Sequence, residues 1–516
     1  MNDAAFAHLE QLLDTAFERY PEFLRPLIDP RKAQDVPWKA DVARTKRFLE
    51  WWSADREFRQ AVNLDARAAD RLALGVDAEE LRFVWDEEFY AGIRDRKGWV
   101  APKSVQQYRA WIGEKFRYRE RVRRQESVPQ DPRHAAWRRR QVNRTLGQLG
   151  INAHENIIHA PFAIELSEGC SVGCWFCGVS AEEKKTDFLY TEENRQLWTG
   201  ILEALRQRVG PSAAHGFMYW ATDPLDNPDY EKFGLDFARI CGRFPQTTTA
   251  QPQKHIERVR ALLKMSAEHG CTINRFSVLS IGTFRKIMAA FTAEELLHTE
   301  LVLQNREGNT IQSNSGRARG SRELDKRAGE KEMESEWRGA PGTIACISGY
   351  LVNMVQRTVR LITPCPSTDA WPNGYWVVDS ARFRDAADFA AVLDGMMERH
   401  MPTALRASDR VRLRPDLKLV RDGDQIHLKS YGLVTKIIGP GRIEPMVQHV
   451  VDGTMTAGEI AIDMEDRFGL PAEEAMASLN WLFDEGLLDE EPCRSTVVAA
   501  PLPSPAAPGR IKETAS

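Results

Sequence analysis

The sequence predicts an α/β protein whose strands and helices alternate to build a parallel sheet, open or barrel-like. A helical region precedes that sheet and a small α+β unit follows it. Three patterns carry this expectation. Between about residues 160 and 400, short apolar runs alternate with helical ones, the rhythm of βαβ units. Earlier in the chain the pattern is helical, with Phe48, Trp51, Trp52, Asp55 and Phe58 at spacings of three and four. Beyond residue 411, two short strand-like runs flank Arg-Asp-Gly-Asp, a hairpin signal, and two amphipathic helices come after them.

Taken in order, residues 1–150 read as a helical region with early prolines (Pro21, Pro26, Pro30, Pro37) and a basic linker. The basic stretch 117–144, with Arg138-Arg139-Arg140, is expected to be a solvated helix or a docking surface for an acidic peptide. Residues 151–400 hold the alternating unit. Its candidate strands are 162–166, 216–220, 247–250, 275–279, 301–304 and 359–363, with helical stretches between them that include 230–241, 255–269 and 293–298. The charged segment 316–341 reads as a long exposed loop with functional potential. Residues 411–490 resemble a small winged-helix-like domain, and the Pro-, Ala- and Ser-rich tail 494–516 is expected to be disordered.

Composition narrows the function. The 516 residues carry a net charge of −4, which offers no overall attraction to nucleic acid or anionic membrane. No run of about 18 apolar residues exists to span a bilayer. The opening residues lack a basic segment followed by an apolar one. Eight cysteines are too few for a disulfide scaffold in a chain of this length. A cytoplasmic protein that binds neither nucleic acid nor membrane is the expectation.

Three of those cysteines, Cys170, Cys174 and Cys177, form C-x3-C-x2-C directly after the first candidate strand. Structural zinc wants four ligands, usually in two close pairs, and no second pair is present. His154, Glu155 and His159 have one residue too many between the histidines for a zinc-peptidase helix. Three thiolates do suit a 4Fe–4S cube, which they hold by three irons while the fourth stays open for a ligand.

The motif, with Phe176 before its third cysteine, resembles that of radical SAM enzymes. The resemblance implies a partial (β/α)6 barrel, a 4Fe–4S cluster on Cys170, Cys174 and Cys177, and S-adenosyl-L-methionine chelated to the open iron as the source of a 5′-deoxyadenosyl radical. It also implies cofactor-binding roles for Asp223, in Tyr-Trp-Ala-Thr-Asp-Pro-Leu, and for Ser277, although the usual glycines of the first of these segments are missing. Asp223 otherwise reads as the cap of a turn.

The wider context, from Glu165-Leu-Ser-Glu-Gly-Cys to Cys346-Ile-Ser-Gly-Tyr and Thr-Pro-Cys365-Pro, is similar to radical SAM peptide epimerases over residues 40–400. These invert L-residues of ribosomal precursor peptides to D-residues. Inversion needs a hydrogen atom delivered to the face opposite the one that lost it, and a neutral buried thiol is a suitable donor. Cys365 is the first candidate, because it ends an apolar strand between two prolines. Cys346 is the second, and Cys241 and Cys271 read as core. The implied partners are a precursor peptide, leader and core, and an external electron donor such as flavodoxin or ferredoxin; the C-terminal unit reads either as a recognition element for the leader or as a structural cap. The competing readings are thioether or carbon–carbon crosslinking, methylation, and a metal-stabilised peptide-binding module without catalysis.

Overall fold

The computed structural model describes residues 3–93, 96, 100–308, 310, 312–330, 342–422, 425–437 and 440–492. The chain folds as a mixed α/β protein with many helices and several small sheets. The expected hairpin turn at residues 423–424, part of the charged segment (331–341) and the tail lie outside the described residues.

The N-terminal region is helical, as its periodicity requires. Asp55 caps the Arg56–Leu64 helix by accepting from Phe58 N (3.1 Å) and also receives Arg285 Nη2 at 2.9 Å. Trp51 meets Phe284 edge to face at 4.8 Å, so this region packs directly against the Ile281–Ala290 helix.

The basic stretch is neither a solvated linker nor an open docking surface. It forms the end of the Lys103–Arg121 helix and most of the Pro132–His154 helix, which is capped by Asp131 and broken at Gly150. Arg138, Arg140 and Arg144 are buried, and each finds distant partners. Arg138 donates to His159 O (2.8 Å) and Arg144 to Pro364 O (2.6 Å), while Arg140 pairs with Glu490 at 3.1 Å. A guanidinium tolerates burial only when its donors are occupied in this way.

Strand β1 (Ala160–Glu165) is buried along its whole length. The short β2 (Ser167–Glu168) and β3 (Thr186–Asp187) pair antiparallel just beyond it. Strands β4 (Thr248–Thr249), β5 (Asn274–Val278) and β6 (Thr299–Leu303) form a parallel sheet. Strands β7 (Ile347–Asn353), β8 (Thr358–Pro364) and β9 (Tyr375–Arg382) complete a four-stranded sheet of order β1-β7-β8-β9.

Three expectations are corrected here. The run 216–220 contributes a single parallel bridge, Phe217 to Ala163, rather than a strand. Residues 293–298 form turns rather than a helix. Residues 359–363 do lie in a strand, β8, but it runs antiparallel to β7, and it is β7 that lies parallel to β1. The largest core packs the helices against these sheets around Trp198, Phe233, Phe237 and Phe244, and each such side chain contributes about 1.5–3 kcal/mol by burial.

Strands β10 (Lys418–Asp422), β11 (Gln425–Lys429) and β12 (Val434–Ile437) form an antiparallel sheet. Helices Pro440–Asp452, Ala457–Phe468 and Ala472–Asp484 follow it and close a separate core that includes Leu428, Met446, Ile460 and Leu479. Thr456 and Glu459 make a reciprocal capping box at the start of the second of these helices. Among the described residues, no helix is long and apolar enough to cross a membrane.

Candidate functional site

The loop carrying Cys170, Cys174 and Cys177 leaves the end of β1 and is closed at its base by the β2–β3 pair. Cys170 N donates to Glu182 O (2.9 Å), which draws the far side of the loop back. Gly169 has φ +78°, and a Cβ there would stand 2.2 Å from Glu183 O, so only glycine fits this return. Asp226 fixes the tip by accepting from Ser171 N (2.8 Å) and Ser171 Oγ (2.5 Å).

A second segment braces the loop from behind. Arg317 N donates to Cys177 O (3.0 Å), and its guanidinium donates to Cys174 O (2.9 Å) and to Ala181 O. A Cβ on Gly316, which has φ +57°, would meet Cys177 O at 2.3 Å. Arg327 lies over the Trp175 ring at 4.9 Å. The described part of the charged segment is thus the backing of the cysteine loop. The long exposed loop expected there is corrected: Arg322–Glu330 form a helix, and Gly316–Ala318 a helical turn.

Burial pushes the Cys170 thiol up to about 12 and Cys174 up to about 11, and nearby Asp223 and Asp226 add to the first. Burial thus favours the neutral thiols, and a metal centre would supply the positive charge needed to make them ligands. Backbone N–H groups are already aimed at sulfur: Val172 at Cys170, and Ala181 at Cys177 Sγ (3.2 Å). Such bonds stabilise sulfur carrying negative charge and tune iron–sulfur centres. Among the described residues, no three Cys, His, Asp or Glu side chains converge tightly enough for a single ion. A single zinc would need its thiolates about 3.8 Å apart, given bonds of about 2.3 Å, whereas a cube gives each thiolate its own iron. The donor set fits a cluster held by three cysteines.

Asp223 is buried beside this loop, and its oxygens are engaged. It accepts from Thr249 Oγ1 (2.8 Å), Ala250 N (2.7 Å) and Leu225 N (3.0 Å), the last as cap of the Pro224–Asp226 turn. Burial lifts its pKa against the pull of those bonds. In this structure it caps that turn. Ser277 lies on β5 two residues after Arg275, and so on the same face of the strand. A carboxylate that the motif reading passed over, Glu165, ends β1 deeply buried, accepting from Ala221 N (2.9 Å) and Asn353 Nδ2 (3.0 Å). Burial raises its pKa as well.

The two candidate donor thiols are separated. Cys346 packs into the apolar cluster that contains Cys177, Phe217, Tyr219 and Trp220. Burial pushes it up to about 11, opposed by Arg275. Cys365 lies in a different cluster with Trp371 and Trp376, close to Arg144, and burial pushes it up to about 12. Strand β8 runs antiparallel to β7, so its C-terminal end, which Cys365 follows, lies beside the N-terminal ends of β7 and β1. Cys346, whose carbonyl accepts from Ala160 N (2.9 Å), lies at that same end. His154 and His159 belong to a buried network instead of a metal site: His159 bonds Ser348 Oγ (2.8 Å) and His154 bonds Arg123 (2.9 Å).

The chain belongs to the same family as the uncharacterized protein y4wI of Sinorhizobium fredii (strain NBRC 101917 / NGR234), with which it is 34% identical over 476 residues, 91% of either chain. No protein-family model matches it. A solved structure of BtrN in complex with AdoMet and 2-DOIA aligns with 16% identity and a TM-score of 0.25, covering 38% of this chain and 70% of that one. A likeness that slight bears on neither fold nor function.

Proposed function

We propose that the protein is a radical SAM enzyme that inverts L-residues to D-residues in a ribosomal precursor peptide. The observation that carries this reading is the three-cysteine loop: three thiols in one loop, backbone N–H groups aimed at sulfur, and a backing that holds the loop's shape. Cys170, Cys174 and Cys177 would hold a 4Fe–4S cluster. When bound, the cluster and S-adenosyl-L-methionine together supply a radical able to take hydrogen from a peptide Cα. The residues around the site exclude water and furnish the returning hydrogen atom.

Of the two thiols, we assign the donor role to Cys346, because it shares an apolar cluster with Cys177 whereas Cys365 stands in another. Its S–H bond breaks as the new Cα–H bond forms, and the sulfur radical left behind is restored by one electron and one proton from an external reductant of the flavodoxin or ferredoxin class. The C-terminal sheet leaves the outer edges of β10 and β12 without a strand partner among the described residues, and such an edge suits strand addition by a leader peptide.

The test is anaerobic reaction of the reconstituted full chain with a co-encoded precursor peptide in heavy water. Inversion adds about one mass unit per centre by exchange through the donor thiol. Net loss of hydrogen would replace this reading with crosslinking, and gain of a methyl group with methylation. Cys346→Ala should abolish label uptake while cofactor cleavage continues; if Cys365→Ala does so instead, the donor assignment fails and the rest of the reading stands.

A further inference from the structure

A cleft of about 360 Å3 opens between the Lys103–Arg121 helix and the N-terminal ends of the strands in the β4–β6 sheet. The cysteine loop, by contrast, leaves the C-terminal end of β1. The cleft has two unlike walls. One is cationic, with Lys115, Arg119, Arg243 and Arg275; the other is apolar, with Phe116, Ile158, Phe217 and Ile273.

The charges on the cationic wall do not cancel. Among the described residues, Glu300 is the one carboxylate that lines the cleft, and both its oxygens are taken, one by Lys115 Nζ (2.7 Å) and the other by Arg275 Nε (3.3 Å). Four cations and one anion line the wall, with Glu120 and Glu126 set behind it beside Arg119 and His215, so the lining itself is cationic. Arg243 gives Nη2 to Gly270 O (2.9 Å) and Thr272 Oγ1 (2.7 Å), lies over the Tyr118 ring at 5.7 Å and is drawn by Tyr118 and Glu126, though no carboxylate lies within 4.0 Å of it among the described residues. Arg119 reaches Asn156 Oδ1 (3.2 Å), its nearest carboxylate oxygen is on Glu120 at 4.0 Å, and its Nε is buried without a hydrogen-bond partner. A buried guanidinium nitrogen left in that state costs roughly 1–3 kcal/mol. A ligand oxyanion would recover that cost, and a forked guanidinium is the side chain best shaped to hold one.

We propose that this cleft is a binding site for a carboxylate carried on a short carbon chain, with the carboxylate on Arg119 and Arg243 and the carbon chain against Phe116, Ile158 and Phe217. The two walls together select that class. Inorganic phosphate would satisfy the arginines and leave the apolar wall wet, and a purely apolar ligand would strand the charge. A volume of about 360 Å3 falls at the small end of ligand pockets, enough for one acidic side chain or one small organic acid. The cleft opens at the opposite end of β1 from the cysteine loop, and its Ile158 and Phe217 belong to the same apolar cluster as Cys177 and Cys346; its cationic lining is independent of what that loop holds.

Two probes share this chemistry and separate its sources: glutarate, a free acid, and the blocked tripeptide acetyl-Ala-Glu-Ala-amide, whose one carboxylate is a side chain. Each is titrated calorimetrically into the full chain at constant ionic strength. The expected result is saturable binding by at least one of them, weakened about tenfold or more in Arg119→Gln and in Arg243→Gln. It should be unchanged in Arg139→Gln, a substitution outside the cleft. Tighter binding of the tripeptide assigns the site to a peptide side chain, and tighter binding of glutarate assigns it to a free acid. Because Arg243 also braces Gly270 and Thr272, Arg119→Lys, which keeps the charge and loses the fork, serves as the second variant; it should bind with intermediate strength. The proposal is overturned by an absence of saturable binding up to about 10 mM, by binding that survives both glutamine substitutions, or by phosphate binding as tightly as either probe.

Discussion

Arg317→Ala isolates the brace behind the cysteine loop. The backbone bond from residue 317 to Cys177 O survives the change; what disappears is the guanidinium fork on Cys174 O and Ala181 O. A hydrogen bond from a charged donor contributes about 1.5–3 kcal/mol, and the one to Cys174 O is solvent-exposed and so counts for less. The sum is about 2–3 kcal/mol, felt locally because both acceptors lie in the loop. The amides of Ser180 and Ala181, which donate to Cys177 O and Cys177 Sγ, report on it directly. Native-state hydrogen exchange at those two amides should quicken by about 30- to 150-fold, while amides of β1 keep their protection. Iron retained per chain after anaerobic reconstitution should fall in parallel. Arg317→Lys, with one donor group in place of a fork, should fall between. Unchanged exchange at Ser180 and Ala181 would refute the bracing role, and so would a rise spread evenly over the whole chain.

The fold should weaken in mild acid. Burial holds His134, His154 and His298 down at about 4, below the ordinary histidine value of about 6.5, so they oppose folding once protonated. Their contribution is whole above about pH 6.5 and is lost as pH falls toward 4, up to about 3 kcal/mol each. Glu114, pushed up to about 7 by burial, acts in the opposite sense and blunts the slope. Urea midpoints should therefore drop from pH 7 to pH 5, and flat midpoints would contradict the histidine assignment. Arg140→Ala should destabilise by about 2–4 kcal/mol, since it leaves part-exposed Glu490 with the Gln141 amide alone, frees Pro402 O and uncovers the Phe483 ring. Thermolysin should then cut between the central sheets and the C-terminal unit, whereas a paired Arg140→Leu, Glu490→Leu chain should recover most of the lost stability.

What could be read from the sequence depended on whether a neighbour in the chain or a distant one decides the structure. Strand β1 was legible because its run of buried residues is unbroken, and the Ala457–Phe468 helix because its cap and the glutamate three residues on are both local. Strand β7 was missed because Ser348, Gly349 and Asn353 interrupt its apolar pattern. That omission also inverted β8. Only four residues separate the two strands, too few for a parallel crossover, so recognising the first would have set the direction of the second. The arginines of the basic stretch were misjudged for a different reason. Their partners His159, Pro364 and Glu490 come from three separate parts of the chain, and charge alone does not reveal them. The cysteine spacing was plain, as was the turn that Asp223 caps. The placement of Cys346 and Cys365 in different clusters rests on tertiary packing.

The Pro132–His154 helix is gripped from both sides. His134 and Arg144 reach β7 and β8, while Arg140 reaches Glu490 and the backbone of Gly486 lies against Arg140. The C-terminal sheet is therefore bolted to the central sheets through a shared rod and does not swing on a tether. Any extended chain held along the edge of β12 starts from a fixed point, and the number of its residues between that edge and the cysteine loop is set by the geometry of the molecule. Under such an arrangement, position along a bound chain is measured as length, and an insertion in that chain would shift which residue arrives.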